Sequence, residues 1–95
     1  MHEGRLERRL KREVEKLGGK ALKFNCSGMS GVPDRLILIP QGKVVFVEMK
    51  STGKKLRPLQ QKRKRDLEQL GFNVYAIDSE LAIDNFIQDV FVENA

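Results

Sequence analysis

Three charged residues near the middle of the chain, Asp34, Glu48 and Lys50, have types and a spacing that suit phosphodiester chemistry. Two carboxylates offer hard oxygen ligands to Mg²⁺ or Mn²⁺, which can lower the pKa of a bound water and neutralise charge that develops on a phosphate. A lysine beside them can orient the attacking water and stabilise the transition state. These three residues are therefore candidates for a metal-dependent site.

Each of these residues also has a simpler interpretation. A Glu-x-Lys pair is common on the solvated face of a strand, and an aspartate after Val32-Pro33 can merely begin a strand. Glu48 and Lys50, however, follow the apolar run Val44 to Val47 in a strand that we expect to be central, where unpaired charges are costly. This context favours the functional interpretation.

The elements that must position these residues follow from the apolar periodicity. The pattern predicts a helix from Arg5 to Leu17, a strand within Lys20 to Cys26, a flexible loop over Asn25 to Gly31, strands at Arg35 to Ile39 and Lys43 to Met49, a helix from Pro58 to about Leu70, a strand from Phe72 to Ile77 and a last helix from Leu81 to Phe91. The order is α-β-β-β-α-β-α. It predicts an α/β fold with a mixed four-stranded sheet flanked by helices.

The second and third predicted strands bring the three charged residues together. Gln41-Gly42 lies at a tight-turn position between them and predicts a two-residue hairpin. Asp34 precedes one strand of this hairpin, whereas Glu48 and Lys50 end the other, so they should meet at one sheet edge. Because side chains alternate along a strand, Glu48 and Lys50 should lie on the same face.

Length and composition exclude several classes of protein. Ninety-five residues with 40% hydrophobic content predict one domain, 1–95. No apolar stretch could span a bilayer and the N-terminus is too charged for a signal peptide, so we expect a soluble, cytoplasmic protein without a membrane partner. The single cysteine, Cys26, fits a reducing compartment and leaves no cysteine cluster for structural zinc, so a bound metal would need oxygen ligands.

The net charge of +5 favours a polyanionic partner such as nucleic acid. Basic residues follow the third strand and continue along the second helix, while a further set lies on the first helix. The candidates for DNA binding are Lys54, Lys55, Arg57, Lys62, Arg63 and Arg65; the first-helix set is Arg5, Arg8, Arg9, Lys11 and Arg12. They could form a rim that grips phosphates without reading sequence, or simply a solvated helix face.

These segments resemble a known family. Pro33-Asp34, followed after thirteen residues by Glu48-Met49-Lys50, resembles the PD-(D/E)xK nuclease signature. The segments 31–36 and 46–50, with Leu56-Arg57-Pro58-Leu59-Gln60 and Leu70-Gly71-Phe72, are similar to the VRR-NUC branch of that superfamily. The likeness covers essentially the whole chain, and it departs mildly at Met49, where leucine is more usual. This branch includes stand-alone phage and prophage nucleases and a domain of the Fanconi-anaemia-associated nuclease.

The resemblance implies a restriction-endonuclease-like core and a role for each motif residue. Asp34 and Glu48 would bind the metal, the Met49 backbone carbonyl would add a ligand, and Lys50 would serve the water. A helix-borne glutamate is also implied, for which Glu7 and Glu3 are both candidates. Glu7 is preferred because its distance to the Gly18 helix stop resembles that in archaeal Holliday-junction resolvases. Gln60 matches the family's glutamine on the second helix, where it could touch the site or the scissile phosphate.

The activity that the resemblance implies is divalent-metal-dependent hydrolysis of DNA, with Mg²⁺ or Mn²⁺ as cofactor. Stand-alone relatives suggest a structure-selective endonuclease for branched or Holliday-junction-like DNA, of phage or prophage origin in a bacterial host. A four-way junction needs two nicks, so a homodimer is expected, and the apolar last helix could supply its interface. The alternatives are a catalytically silent, basic DNA-binding module with the same fold, and a ribonuclease.

Overall fold

The computed structural model describes residues 3–93, and the side chains of residues 4–92. In chain order the elements are α1 (Glu3–Lys16), β1 (Lys20–Lys23), β2 (Arg35–Ile39), β3 (Lys43–Met49), α2 (Pro58–Gln69), β4 (Val74–Ile77) and α3 (Glu80–Ile87), after which the chain continues as a π-helical segment, Gln88–Glu93. This order confirms the predicted α/β architecture.

The sheet has the strand order β1-β2-β3-β4. β1 and β2 are antiparallel, as are β2 and β3, whereas β3 and β4 are parallel and are joined through α2. A parallel pair needs such a crossover, because a tight turn cannot return the chain to the same end of the sheet. The mixed sheet therefore places β3 between two partners, and the end of β3 lies in the interior of the sheet rather than at its edge strand.

One face of the sheet carries the main core. Leu6, Leu10 and Val14 recur at helical spacing on α1 and are almost completely buried against this face. Side chains alternate between the two faces along each strand, and those that point to this face are Ile37, Ile39, Val45, Val47, Met49 and Ile77. α3 adds Ile83 and Phe86, and Arg9 of α1 forms ion pairs with Glu80 and Asp84. We call this side of the sheet the α1 face.

The opposite side, the α2 face, is packed differently. Phe46 lies between Phe24 and Phe72, with ring centroids 5.5 Å apart in both edge-on contacts. α2 itself contributes no buried residue, and its Leu59 is 41% exposed. The thin apolar line of this helix, read from the sequence, thus produces a helix that only partly covers its side of the sheet.

β1 (Lys20–Lys23) lies within the predicted range, whereas two other predicted boundaries are wrong. The hairpin has three connecting residues, 40–42, with Ile39 paired to Lys43, because Pro40 cannot continue the ladder and Gln41 has a φ of 74°. β4 begins at Val74 instead of Phe72, whose N–H is bonded to the Leu67 carbonyl at the end of α2.

Within the described residues, none of the helices combines the length and apolar character needed to cross a membrane.

Candidate active site

The strands β2 and β3 separate where Asp34 and Met49 lie. Arg35 is paired with Val47, so continuing the register places Asp34 opposite Glu48. Here the backbone ladder is replaced by a side chain, because the Met49 N–H donates to Asp34 Oδ1 at 3.0 Å. On the other side of β2, the Phe24 N–H donates to the Asp34 carbonyl at 2.9 Å. The aspartate is therefore fixed to both neighbouring strands at the point where they begin to diverge.

Glu48 is the buried acid of this region. Among the described residues, Glu48 is the one polar or charged residue that is buried, with 7% of its surface exposed. By the alternation of β3 it shares the α2 face with Phe46, which is also buried. A carboxylate in such surroundings loses much of its hydration, and such groups persist when they are paired or bind a cation. The predicted metal ligand is thus located where an apolar residue would serve stability better.

Lys50 directly follows β3 and continues its extended course. Its N–H donates to the Ile77 carbonyl at 2.8 Å, so the parallel ladder with β4 extends one residue past the strand. A two-residue period then places the Lys50 side chain on the same face as that of Glu48. The residue is half-buried, so part of it remains accessible at this end of the sheet.

The Met49 backbone faces the gap that Asp34 occupies. The Phe46 N–H bonds to the carbonyl of Asn73, just before β4, and the Lys50 N–H bonds to that of Ile77 in β4, whereas the Met49 N–H bonds to Asp34. Because the N–H and C=O of one extended residue point to the same side of the strand, the Met49 carbonyl is directed towards β2. This orientation suits the predicted backbone ligand.

Glu7 lies on the α1 face, paired with a residue that the sequence analysis did not single out. Its carboxylate receives a hydrogen bond and ion pair from Arg35 Nη2 at 3.0 Å, and both side chains are mostly buried. Within the described residues no three acidic, histidine or cysteine side chains form a group that could hold a metal, so Glu7 does not join Asp34 and Glu48 in this arrangement. Its role as a ligand stays a prediction; the Glu3 side chain lies outside the described residues.

Arg35 could have been found from its position alone. It follows Asp34 directly and begins a strand of otherwise apolar residues, so the two neighbours must point to opposite faces. A charge facing the α1 side at that point requires a partner on the helix that covers it. The register of α1 over β2, which decides that this partner is Glu7, depends on tertiary packing.

Gln60 has a structural contact at the start of α2. Its side-chain oxygen accepts a hydrogen bond from the Arg57 N–H at 2.9 Å, which is the second half of a capping box. Pro58 occupies the first turn of the same helix, where its missing N–H costs nothing. The oxygen of Gln60 is thus used by the helix, and its amide N–H₂ is the part that a phosphate could meet. Whether it does so is a prediction.

The loop before Asp34 is held against α2. Gly31 has a φ of +82°, and a Cβ built there would lie 2.6 Å from Leu59 Cγ, so only glycine fits. Arg63 Nε donates to the Ser30 carbonyl at 2.8 Å, and its guanidinium is also 3.5 Å from Asp66. These contacts connect the first turns of α2 to the segment that delivers Asp34. Arg63, predicted to bind DNA, therefore has a role inside the fold as well.

The remaining residues of the predicted DNA-binding set are exposed on the surface. They are Lys54, Lys55, Arg57, Lys62 and Arg65. Lys54 and Lys55 lie in the loop after β3, and the other three lie at the start and along the length of α2. Their position beside the Asp34 and Glu48 pair and their binding role both stay predictions.

Taken together, the residues form an oxygen-rich edge with a cation beside it. Asp34 and Glu48 come from adjacent strands, the Met49 carbonyl is directed into the same gap, and Lys50 lies on the Glu48 side. Hard divalent cations favour all-oxygen ligand sets of this kind. The arrangement suits the binding of such a cation and of a phosphate ester next to it.

Comparisons with known proteins identify what this chain is similar to. The family model of the VRR-NUC domain matches residues 1–81. The chain is 44% identical over 80 residues to the protein named "Putative nuclease p44" of Acyrthosiphon pisum secondary endosymbiont phage 1, with 84% of this chain and 86% of that protein covered. A solved structure titled VRR_NUC domain superimposes with a TM-score of 0.87 at 33% identity, covering 94% of this chain and 97% of that one.

Proposed function

The chain belongs to the VRR-NUC domain family, and from this premise we propose that it is a divalent-metal-dependent DNA endonuclease that uses Mg²⁺ or Mn²⁺. The observation that carries the proposal is the juxtaposition of Asp34 with the β3 end. The Asp34 carboxylate bonds the Met49 N–H at 3.0 Å, next to the buried carboxylate of Glu48. A fold gains little stability from two neighbouring acids, whereas a cation between them removes their repulsion.

The donor set fits a hard cation. Asp34 and Glu48 would hold it, the Met49 carbonyl would add a backbone ligand, and Glu7 is a further candidate if its side chain leaves Arg35. When bound, the metal would supply charge neutralisation at the phosphate and a lowered pKa of an attacking water. The single cysteine, Cys26, is exposed on the loop before Asp34 and offers no competing thiolate group.

The protein's own residues would do the positioning. The hydrogen bond from Met49 fixes one oxygen of Asp34, so this carboxylate is held in one orientation before substrate arrives. Lys50 would hold the attacking water and offset negative charge in the transition state, since its ammonium lies on the same face as Glu48. The amide of Gln60 would contact the scissile phosphate while its oxygen keeps the α2 cap.

The substrate that fits the surroundings is DNA read by shape instead of sequence. The exposed cations beside the site can neutralise phosphates, and phosphate contacts position a duplex without reading its bases. We propose branched or junction-like DNA as the preferred form. Two nicks across a junction require two sites, so the active species would be a homodimer; Leu81, which is 67% exposed on α3, supplies apolar surface for such an interface.

The decisive experiment compares Lys50→Ala, Asp34→Ala and the double variant with the wild-type chain. Cleavage of a labelled panel of duplex, flap and four-way-junction DNA should need Mg²⁺ or Mn²⁺ and stop with EDTA. Each single variant should cut at least about 100-fold more slowly, because it removes a metal ligand or a transition-state cation. Lys20→Ala, an exposed lysine at the far end of the sheet, is the matched control and should cut normally.

Two outcomes would contradict the proposal. Undiminished cleavage by the purified double variant would show that the activity arises elsewhere. Absence of cleavage by the wild-type chain, together with tight DNA binding, would instead favour the catalytically silent DNA-binding module. Including a labelled RNA of matched structure in the same panel separates a ribonuclease from a deoxyribonuclease.

A further inference from the structure

A groove separates α1 from the edge strand β1 on the α1 face of the sheet. Its charged lining consists of Glu7, Arg8 and Lys11 from α1, Lys23 from β1, and Arg35 from β2. We call it the α1–β1 groove. Arg8 and Lys11 are three residues apart and so are neighbours on the surface of α1, with Lys23 facing them across the groove. Four of these five side chains are cationic.

Within the described residues, three of the four cations of this groove have no internal hydrogen-bond or ion-pair partner. Arg8, Lys11 and Lys23 are exposed, and in the described part of the chain none of their side chains forms a hydrogen bond or an ion pair. Glu7, the acid in the lining, is already neutralised by Arg35 at 3.0 Å. Three uncompensated positive charges therefore remain along a narrow surface, where mutual repulsion opposes folding. Such a cluster is favourable when a polyanion occupies it.

Several basic residues elsewhere on the helices are paired within the fold. Arg9, one position along the helix from Arg8, is paired with Glu80 and Asp84 on α3. On α2, Lys64 is 2.8 Å from Glu68, and Arg63 is 3.5 Å from Asp66. What distinguishes Arg8, Lys11 and Lys23 is their convergence from α1 and β1 on one groove, where a single polyanion could contact all three.

The groove opens towards the candidate active site. Lys23 is paired with Arg35 in the sheet, and the next residues, Phe24 and Asp34, are hydrogen-bonded at 2.9 Å. Because side chains alternate, Lys23 and Arg35 lie on the α1 face, whereas Glu48 and the α2 cations border the other face. A nucleic acid strand in the groove would therefore reach the Asp34 end of the sheet from the side opposite α2.

We propose that the α1–β1 groove binds the phosphodiester backbone of the DNA substrate, through Arg8, Lys11 and Lys23. The inference rests on the proposed function and adds a second backbone contact to it. With cations on both faces of one sheet edge, the protein grips DNA that passes both sides of that edge. A branched DNA, whose arms diverge, can do this, whereas a short straight duplex engages one side at a time.

The test removes three charges from the groove and three from elsewhere. The groove variant is Arg8→Gln, Lys11→Gln, Lys23→Gln. The control is Lys16→Gln, Lys20→Gln, Lys43→Gln, which takes the same charge from the opposite end of the sheet. Affinity for a four-way junction and for a linear duplex of equal length is measured by fluorescence anisotropy in EDTA, over a range of salt concentrations.

The groove variant should bind the junction at least about tenfold more weakly, and the slope of log affinity against log salt should fall by about 2 to 3, as expected for the loss of about three phosphate contacts. The duplex should lose less, and the control less than about threefold on either DNA. Equal losses for both variants would overturn the proposal, because general charge would then explain them. A dissociation constant above about 10⁻⁴ M for the wild-type chain, which is the level of non-specific binding, would also overturn the proposal.

This result is independent of the cleavage experiment. If the groove variant binds normally while Lys50→Ala still abolishes cleavage, the proposed DNA-binding role of the groove is wrong and the nuclease assignment stands. If the groove variant loses affinity while the Asp34 and Lys50 variants cut normally, the DNA-binding role of the groove is supported and the active-site assignment fails. Circular dichroism melting of both triple variants checks that the affinities refer to folded protein.

Discussion

On the α1 face of the sheet, two helices cover side chains such as Val47, Ile37 and Ile77 that have almost no contact with solvent. On the α2 face, the covering helix has no buried residue, and the end of the same strand carries Glu48, a buried acid. Val47 and Glu48 are sequence neighbours with opposite surroundings. The difference indicates that one face supplies most of the stability, while the other can hold polar groups that a tight core would not accept.

The largest effect on stability should distinguish the two covering helices. Leu10→Ala removes a side chain that is 1% exposed at the centre of the α1 face, so the free energy of unfolding should fall by about 3–4 kcal/mol. Leu59→Ala, on α2, removes a side chain that is 41% exposed and should cost less than about 1 kcal/mol. Urea unfolding of both variants measures this. Equal losses would mean that α2 contributes to the core as strongly as α1.

A smaller effect should appear on cleavage when Gln60 becomes Glu. A glutamate keeps the oxygen that accepts the Arg57 N–H, so the capping box and the melting temperature should be retained. It removes the amide N–H₂ and adds a negative charge near the phosphate, so cleavage should slow by about tenfold, which corresponds to about 1.4 kcal/mol of transition-state stabilisation. Unchanged cleavage in Gln60→Glu would assign Gln60 to the helix cap alone.

The smallest effect concerns the far end of the α1 face and appears only at alkaline pH. Burial, together with the hydrogen bond and negative charge of Asp89, raises the pKa of Tyr75 to about 12 from its ordinary value of 10.0. The folded protein therefore retains this proton longer than the unfolded chain. The associated stability is complete below about pH 10 and is lost as the pH rises towards 12.

Tyr75→Phe should consequently make the unfolding free energy less dependent on pH between 10 and 12, with little change in cleavage at pH 7. Urea midpoints of both proteins across that range provide the measurement. If the pH dependence were as steep in Tyr75→Phe as in the wild-type chain, the Tyr75 hydroxyl would not be its source.

Much of this two-sided architecture could be predicted from sequence. The alternation along the two central strands, with Gln41-Gly42 between them, was enough to bring Asp34 and Glu48 to the same end of the hairpin. The turn is one residue longer than predicted, so the register differs by one residue, with Ile39 paired to Lys43. The few apolar residues in the α2 sequence agree with the absence of buried residues on this helix. These features depend on local periodicity and on pairing between strands that are close in sequence.

The contacts that could not be predicted depend on how elements pack across long sequence distances. The pairing of Glu7 with Arg35 requires the exact placement of α1 over β2, and the sequence offers Glu3 and Glu7 on one helical face. The contact of Arg63 with Ser30, across 33 residues, depends on how the loop before Asp34 meets α2. Gln60 matches a glutamine of the family, and its hydrogen bond to the Arg57 N–H, which caps α2, is seen only in the structure.

The most direct test of the division between the two faces compares Val47→Ala with Glu48→Gln, measuring cleavage rate and urea unfolding for each. Val47→Ala should lower the free energy of unfolding by about 2 kcal/mol and leave cleavage by the folded protein within about threefold of wild type. Glu48→Gln should slow cleavage at least about 100-fold and keep the unfolding free energy within about 1 kcal/mol. A Glu48→Gln protein that cleaves normally, or that is destabilised more than Val47→Ala, would contradict the account.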